Sequence, residues 1–512
     1  MKKLTVLAAL MLLLAMVVPS TVSANPDITI SDSGWSDTTV GTWDPGTKTA
    51  TLTKDLNEGI KIQGNGITLD GAGHTITGSG GGNGVDIQYG TLQGITIKNL
   101  NVTGFNFGIY VRGMYPLSLG NHVVENNILT GNDCGIRVIY ATNNTLNGNT
   151  ATNNPYYGIY VVRSEGNNLS GNVANENGAG IISDYCSGNI FNGNTANSND
   201  KIGINLGGST SSTLAGNTAN GNGERGIHVG ASGNILSGNT ASLNTRDGIY
   251  LGPASNNALD GNTASFNGWG GITLWGGSSN NIISNNIATN NGYGGIRVCY
   301  GCDDNTLTGN TVNFNSWAGI RLMGVNNGNT IYHNNIMDNG SDDAPANNDW
   351  HEPTLLEGNY WSNYTGVDDG SGTGKHAIAG DGIGDTLIPH PVTDFDNYPF
   401  TNESGWEAPP VVSATLDIDP DTLNLKSKGV FTAYITLPDG YSVADIDLDT
   451  VACEGAPAIR GSIEGDTFIA KFNRQDLAGV EPGDEVEMTV TGEVTGTLFE
   501  GSDTIRVISK GK

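Results

Sequence analysis

From Ile109 to Ile320 the apolar residues of the chain fall into columns rather than runs. The dipeptide Gly-Ile recurs at Ile109, Ile136, Ile159, Ile181, Ile204, Ile227, Ile249, Ile272, Ile296 and Ile320, in steps of 22 to 27 residues. A second column, in phase with it, holds Leu146, Leu169, Phe191, Leu214, Leu236, Leu259, Ile283 and Leu307. Three residues after each stands an asparagine, from Asn149 through Asn239 to Asn310, and two further on an alanine, from Ala151 to Ala288, until Val312 ends the series. A fixed period of this length is the signature of a solenoid. Segments such as Gly248-Ile249-Tyr250-Leu251 alternate with period 2, and no helical period persists for ten residues, so each repeat is built of strands. Three apolar clusters in about 23 residues predict three short strands and three turns, one coil of a right-handed parallel β-helix.

This pattern predicts an all-β chain with the repeats over residues 61–340. Each rung contributes few inward side chains because its neighbours complete the core. Alanine is expected at a tight corner, and asparagine at a turn with left-handed backbone, its amide bonded to the same amide one rung away. Glycine is expected to supply positive φ. Residues 25–60 are expected to cap the first rung, whose open edge would otherwise pair with other chains. After Pro409-Pro410 the repeats stop and alternating stretches such as FTAYITL and VEMTVTGEV appear, which predicts a β-sandwich over 411–512.

The N-terminus reads as a targeting segment. Lys2 and Lys3 precede an apolar run from Leu4 to Val18, and Val22-Ser23-Ala24 offers a small-residue cleavage site, so residues 1–24 are expected to be a signal peptide cleaved near Ala24. No later segment is apolar enough to span a bilayer, which predicts a secreted or cell-surface protein without a transmembrane segment in the mature chain. The formal net charge of −28 argues against nucleic acid as a partner. Of five cysteines, Cys299 and Cys302 form a lone CxxC, expected to be a local disulfide.

The repeat unit N-x-A-x-x-N-x-x-x-GI resembles that of NosD-like proteins, within the wider group of carbohydrate-binding and sugar-hydrolysis β-helices of pectin-lyase type. The closing stretches GNYWSNYTGVDD (Gly358–Asp369), DGIGDT (Asp381–Thr386) and DFDNYPF (Asp394–Phe400) are similar to the segment that ends many of them. Residues 341–408 are therefore expected to close the helix, and the C-terminal strands resemble an immunoglobulin-like module. The resemblance implies copper handling, which the residues do not support: seven dispersed histidines and unclustered methionines offer no soft-ligand set.

Candidate chemistry lies just after each Gly-Ile. Outward positions there include Tyr110, Arg137, Tyr160, His228, Tyr250, Arg297 and Arg321, with Trp275 and Arg163 nearby. Sugar rings stack on aromatic rings and guanidinium pairs with carboxylate or sulfate, so these residues are the expected ligand-binding strip for polysaccharide or another cell-envelope component. A blander explanation is that aromatics and arginine simply suit exposed strands. Catalysis on uronate polymers would need converging carboxylates and a proton acceptor. The candidates are Arg297, Tyr300, Asp303, Asp304 and Arg321, and a weaker set is Asp184 with Tyr160, Arg163 and Tyr185. Neither matches a lyase, epimerase or hydrolase motif. Residues 341–410 hold 13 acidic residues against one lysine. There Asp368, Asp369, Asp381 and Asp385 lie among glycines, a pattern suited to calcium. Three functions stay open: a non-catalytic glycan-binding or envelope protein, a polysaccharide lyase, epimerase or hydrolase, and a copper-handling accessory.

Overall fold

The structure, a computed structural model, describes residues 28–509 except 89, 116–119, 344–347, 379, 387, 391–393, 407–411, 439–440 and 496. The expected signal peptide and the Pro409-Pro410 junction lie outside the described residues. The chain divides into two compact units, Met1–Trp406 and Glu407–Lys512.

The first unit is a right-handed parallel β-helix. The Gly-Ile strands pair rung to rung in one 15-stranded sheet, with Ile136, Ile159, Ile181, Ile204, Ile227 and Ile249 in continuous register. The Leu column lies in a 14-stranded second sheet. The third face is narrow. It has full strands at its two ends, and between them single parallel bridges run from Thr150 through Val173, Thr195, Thr218, Thr240, Thr263 and Ile287 to Thr311. All three columns are buried in one core.

The expectations for alanine and asparagine are corrected, while glycine does supply positive φ, at positions other than Gly-Ile. The alanines sit on the third face, not at a corner. They face the glycine of Gly-Ile: a Cβ on Gly226 would lie 2.8 Å from Ala241 Cβ and 2.7 Å from the Ala219 carbonyl oxygen. That glycine is required by close approach rather than by φ. Positive φ belongs to another glycine set, such as Gly148, Gly171, Gly193, Gly216 and Gly238, each just before a buried asparagine. So the left-handed residue is the one before the asparagine.

The buried asparagines form three ladders, one per turn. In the longest, running from Asn127 to Asn359, Asn239 is representative. Its backbone N–H and its Nδ2 both donate to Asn262 Oδ1 at 2.9 Å, and Nδ2 also donates to the Leu214 carbonyl at 3.0 Å. The side chain thus uses two donors and accepts twice, the full capacity of an amide. A second ladder runs from Asn132 to Asn339. The third starts at His122, whose backbone N–H donates to Asn144 Oδ1, and passes through Ser212 before continuing to Asn348. Burial pushes the His122 imidazole down to about 4, so it is neutral and its Nδ1 accepts the Ile95 N–H.

At the N-terminal end Ile30 pairs with Trp35 and Gly41 with Leu52 in antiparallel fashion, while Ile28 joins Ile60 and Thr49 joins Thr68 in parallel. At the other end Asn359 is held by Asp396 of the closing segment. The five cysteines are free, which corrects the expected disulfide. Cys299 shares register with Trp275 and Met323 on the outer face of its strand. Cys302 points into the core and its thiol donates to the Cys299 carbonyl, as the Ser278 hydroxyl one rung earlier donates to that of Trp275. The two sulfurs lie on opposite sides of the wall.

The second unit is β-rich, with nine strands from Val412 to Ile508. The strand Ala456–Glu464 pairs with Ile446–Cys453 at its start and with Thr467–Asn473 along its length, linking two sheets over a core containing the stacked pair Phe431 and Phe472.

Candidate functional site

The outward residue after each Gly-Ile forms one unbroken register column: Tyr110, Arg137, Tyr160, Ile182, Asn205, His228, Tyr250, Thr273, Arg297 and Arg321. Strand alternation puts each side chain opposite its core isoleucine, and the rung repeat stacks them about 4.8 Å apart. Guanidiniums and rings interleave. Arg137 lies 5.6 Å from the Tyr110 ring and 5.5 Å from that of Tyr160, and Arg225 lies 3.7 Å over Tyr250.

The densest part of this face is organised by a residue the sequence reading passed over. Asp247, 1% exposed, lies between Arg225 Nε and Arg297 Nη1, each 3.5 Å away. It also accepts from the Thr273 hydroxyl at 2.8 Å and the Gly270 N–H at 3.3 Å. One buried carboxylate therefore fixes two guanidiniums from rungs on either side. His228 packs 5.4 Å from Tyr250, and burial, reinforced by Arg225, pushes its imidazole down to about 4. Burial raises the Tyr250 phenol above its ordinary value. Arg137 Nε, Asn205 Oδ1, His228 Nδ1 and Arg297 Nε are buried with no hydrogen-bond partner, polar capacity directed along one face.

Both edges of this face carry exposed rings. Trp269, Tyr293 and Trp317 follow one another on one side. On the other, Trp275 meets Tyr300 edge-on at 4.7 Å. The strand between them, Gly270–Trp275, spans six residues, about 20 Å. Trp269, Tyr293 and Trp317 were also missed from sequence. Their signal was available: each stands two residues after an Asn of one ladder, Asn267, Asn291 and Asn315.

Other expected site residues go elsewhere. Arg163 lies at the corner beyond the strand, with left-handed backbone, and donates to the Tyr140 hydroxyl. Tyr185 and Tyr300 take the same left-handed corner position. Asp184 lies beside the Tyr160 side of the face, and burial raises its carboxyl. Asp303 and Asp304 do not join Arg297 and Arg321. They lie in the following turn, where Asp303 accepts the Asn327 N–H and Asp304 is the left-handed residue before ladder residue Asn305.

The acidic loops come together through backbone amides. Asp368 accepts from Gly380 and Gly382, and Asp385 accepts from Asp369 and Gly370. Asp381 Oδ2 and Asp385 Oδ1 are buried without a partner. Among the described residues no three His, Cys, Asp or Glu side chains form a group able to hold a metal. His74 faces Asp55, His122 belongs to a ladder, and His228 lies on the Gly-Ile face. His351 and His376 pack instead on the Tyr398 ring. This donor set does not fit copper.

Comparison with known proteins places these features. The family model described as periplasmic copper-binding protein (NosD) matches residues 47–224, 153–243 and 218–366, together more than half of the chain. No curated protein sequence matches. Among solved structures, the mannuronan C-5 epimerase AlgE4 A-module of Azotobacter vinelandii is 18% identical over 59% of this chain and 87% of its own, with a TM-score of 0.42. The periplasmic alginate epimerase AlgG is 17% identical over 60% and 78%, with a TM-score of 0.36. An alginate lyase from Paenibacillus sp. str. FPU-7 is 15% identical over 47% and 91%, also at 0.36. These likenesses concern the fold.

Proposed function

The chain belongs to the NosD family, and on that premise we propose that it is an exported protein whose outer Gly-Ile face binds acidic polysaccharide without turning it over. The observation that carries this reading is the interleaving of Arg137, Arg225, Arg297 and Arg321 with aromatic rings along one face of a chain of net charge −28. Scarce cations are gathered where rings are exposed, and a repeating face suits a repeating ligand because weak contacts accumulate along it. The family description is periplasmic, which supports export.

The second reading is a lyase, epimerase or hydrolase acting on uronate polymers. It is favoured by Arg225, His228, Asp247 and Tyr250 lying on two adjacent rungs. Acid–base work near neutrality wants groups poised near pH 7. Here burial depresses the histidine to about 4 and raises the tyrosine, so near neutrality the imidazole is neutral and the phenol protonated. The test is incubation with uronate polymers, scoring bound polymer and new chain ends or changed stereochemistry separately.

For the acidic loop we propose calcium, held through Asp381 Oδ2 and Asp385 Oδ1, the carboxylate oxygens without partners. Asp368 and Asp369 serve as the amide-bonded frame around them. Copper is not proposed, because among the described residues the histidines and thiols do not converge.

A further inference from the structure

The strongest unassigned feature is the aromatic rim of the Gly-Ile face. Trp269, Tyr293 and Trp317 occupy the same position on three consecutive rungs and are 42%, 44% and 41% exposed. Their ring centroids are 6.4 Å and 5.8 Å apart and their planes are inclined by 69° and 44°, so successive sugars would meet them at different tilts. Arg246 occupies the equivalent position one rung earlier and lies 5.2 Å from the Trp269 ring. Three large rings exposed in succession are costly to leave facing water and form a patch of the kind that marks a ligand surface.

The rings are also preorganised. The Trp269 N–H donates to the Arg246 carbonyl at 3.0 Å, and the Tyr293 N–H to that of Trp269 at 2.9 Å. Two residues before each ring is an Asn whose amide is locked into a ladder: Asn267 to Asn291 and Asn291 to Asn315, each at 3.0 Å. A ligand therefore meets rings whose backbone is already fixed, which lowers the ordering cost of binding.

Cations flank the rings on the floor side. Arg297, 8% exposed, lies 5.9 Å from the Tyr293 ring, and Arg321, 9% exposed, lies 3.6 Å over that of Trp317. The rungs advance by about 4.8 Å, close to the length of one pyranose unit in a chain.

We propose that Trp269, Tyr293 and Trp317 form a stacking platform for three consecutive residues of an acidic glycan lying along the helix axis, with its carboxylate or sulfate groups turned toward Arg246, Arg297 and Arg321. The inference rests on the glycan reading above and deepens it by naming subsites, ligand length and polarity. Pyranose faces stack on the rings, the part-exposed Arg246 pairs with the anions, and the buried Arg297 and Arg321 supply positive potential from beneath.

The test titrates the full-length chain with oligogalacturonates of one to six residues and with neutral cello-oligosaccharides, by calorimetry. Trp269→Ala and Trp317→Ala are compared with wild type. Because the tryptophan rings are exposed, their removal should leave the melting temperature near that of wild type, and Trp→Phe at each site should restore binding. The expected result is affinity that climbs with acidic chain length to three residues, about tenfold loss in each tryptophan variant, and weak neutral binding. If wild type binds acidic oligomers and the tryptophan variants bind them equally well, the platform is wrong and the broader reading stands. Equal affinity for neutral oligomers overturns the acidic assignment. A wild type that binds no acidic oligomer overturns the broader reading and this inference with it.

Discussion

The carboxylate of Asp396 accepts the backbone N–H of Asn359 at 2.8 Å and its side-chain amide at 3.2 Å. The same oxygen takes the Trp361 indole N–H at 2.8 Å. Asn359 is the last amide of a ladder that began at Asn127, and every other member passes its donors to the next rung. The Asn359 amide also donates to the Ile331 and Trp350 carbonyls, but its backbone N–H, which on other rungs meets the next Asn, is met by a residue from 37 positions further along the chain. Asp396→Ala is expected to cost about 2–4 kcal/mol in chemical denaturation, because the buried Asn359 N–H and Trp361 indole lose this acceptor. Asp396→Asn should cost less, since its carbonyl can replace the shared oxygen.

Burial raises the Asp396 carboxyl from 3.8 to about 6. A carboxyl with a raised folded-state value stabilises the fold below its unfolded value and loses that contribution as pH rises through its folded value. The contribution of Asp396 is therefore expected to be present below about pH 4 and to decline toward pH 6. Melting curves of wild type and Asp396→Asn across this window measure it: the difference between them should change with pH, and a constant difference would contradict the assignment.

Gly226→Ala is expected to destabilise the helix by about 1–3 kcal/mol, because the new methyl meets Ala219 O at 2.7 Å and Ala241 Cβ at 2.8 Å. Ala241→Leu should do the same from the other side of the contact. Gly238→Ala acts differently: nothing lies within 4 Å of its Cβ, and the cost comes from φ of +59°. Thermal melts of the three variants distinguish crowding from backbone strain if Gly238→Asn, which tolerates that φ, recovers the loss.

Much of this was written in the sequence. The Gly-Ile, Leu and Ala columns gave the period and the register, since each rung repeats the same few contacts. The ladder through Asn144 was harder to see, because Ser212 interrupts it and the turns around it vary in composition. Asp247 left no mark: as one acid before a Gly-Ile it has no local signature, and its role depends on Arg225, 22 positions before it, and Arg297 in a later rung. Asp396 lies outside the repeat altogether. The cysteine pair misled because spacing says nothing about which side of a wall each side chain faces.

Asp247→Asn is expected to weaken acidic glycan binding about tenfold. The change removes the charge that holds Arg225 and Arg297 in place, although neither Asp247 nor its substitute is exposed to ligand. As a positioning residue it should alter the salt dependence of binding as well as the affinity. An Asp247→Asn variant with wild-type affinity at every ionic strength would contradict that role.

Calcium should raise the melting temperature of the first unit, and Asp381→Asn with Asp385→Asn should abolish the rise. A melting temperature unchanged by calcium or chelator would remove the metal proposal and leave the loop as an amide-bonded frame.

The central claim is that the Gly-Ile face binds acidic polysaccharide without turnover, and it is tested most directly by equilibrium binding of a uronate polymer to wild type and to Arg297→Ala with Arg321→Ala, with the recovered polymer analysed for cleavage and stereochemistry. The predicted result is salt-sensitive binding by wild type, at least tenfold weaker in the double variant, and polymer recovered unchanged. Equal binding by both proteins, or polymer recovered cleaved or epimerised, would contradict it.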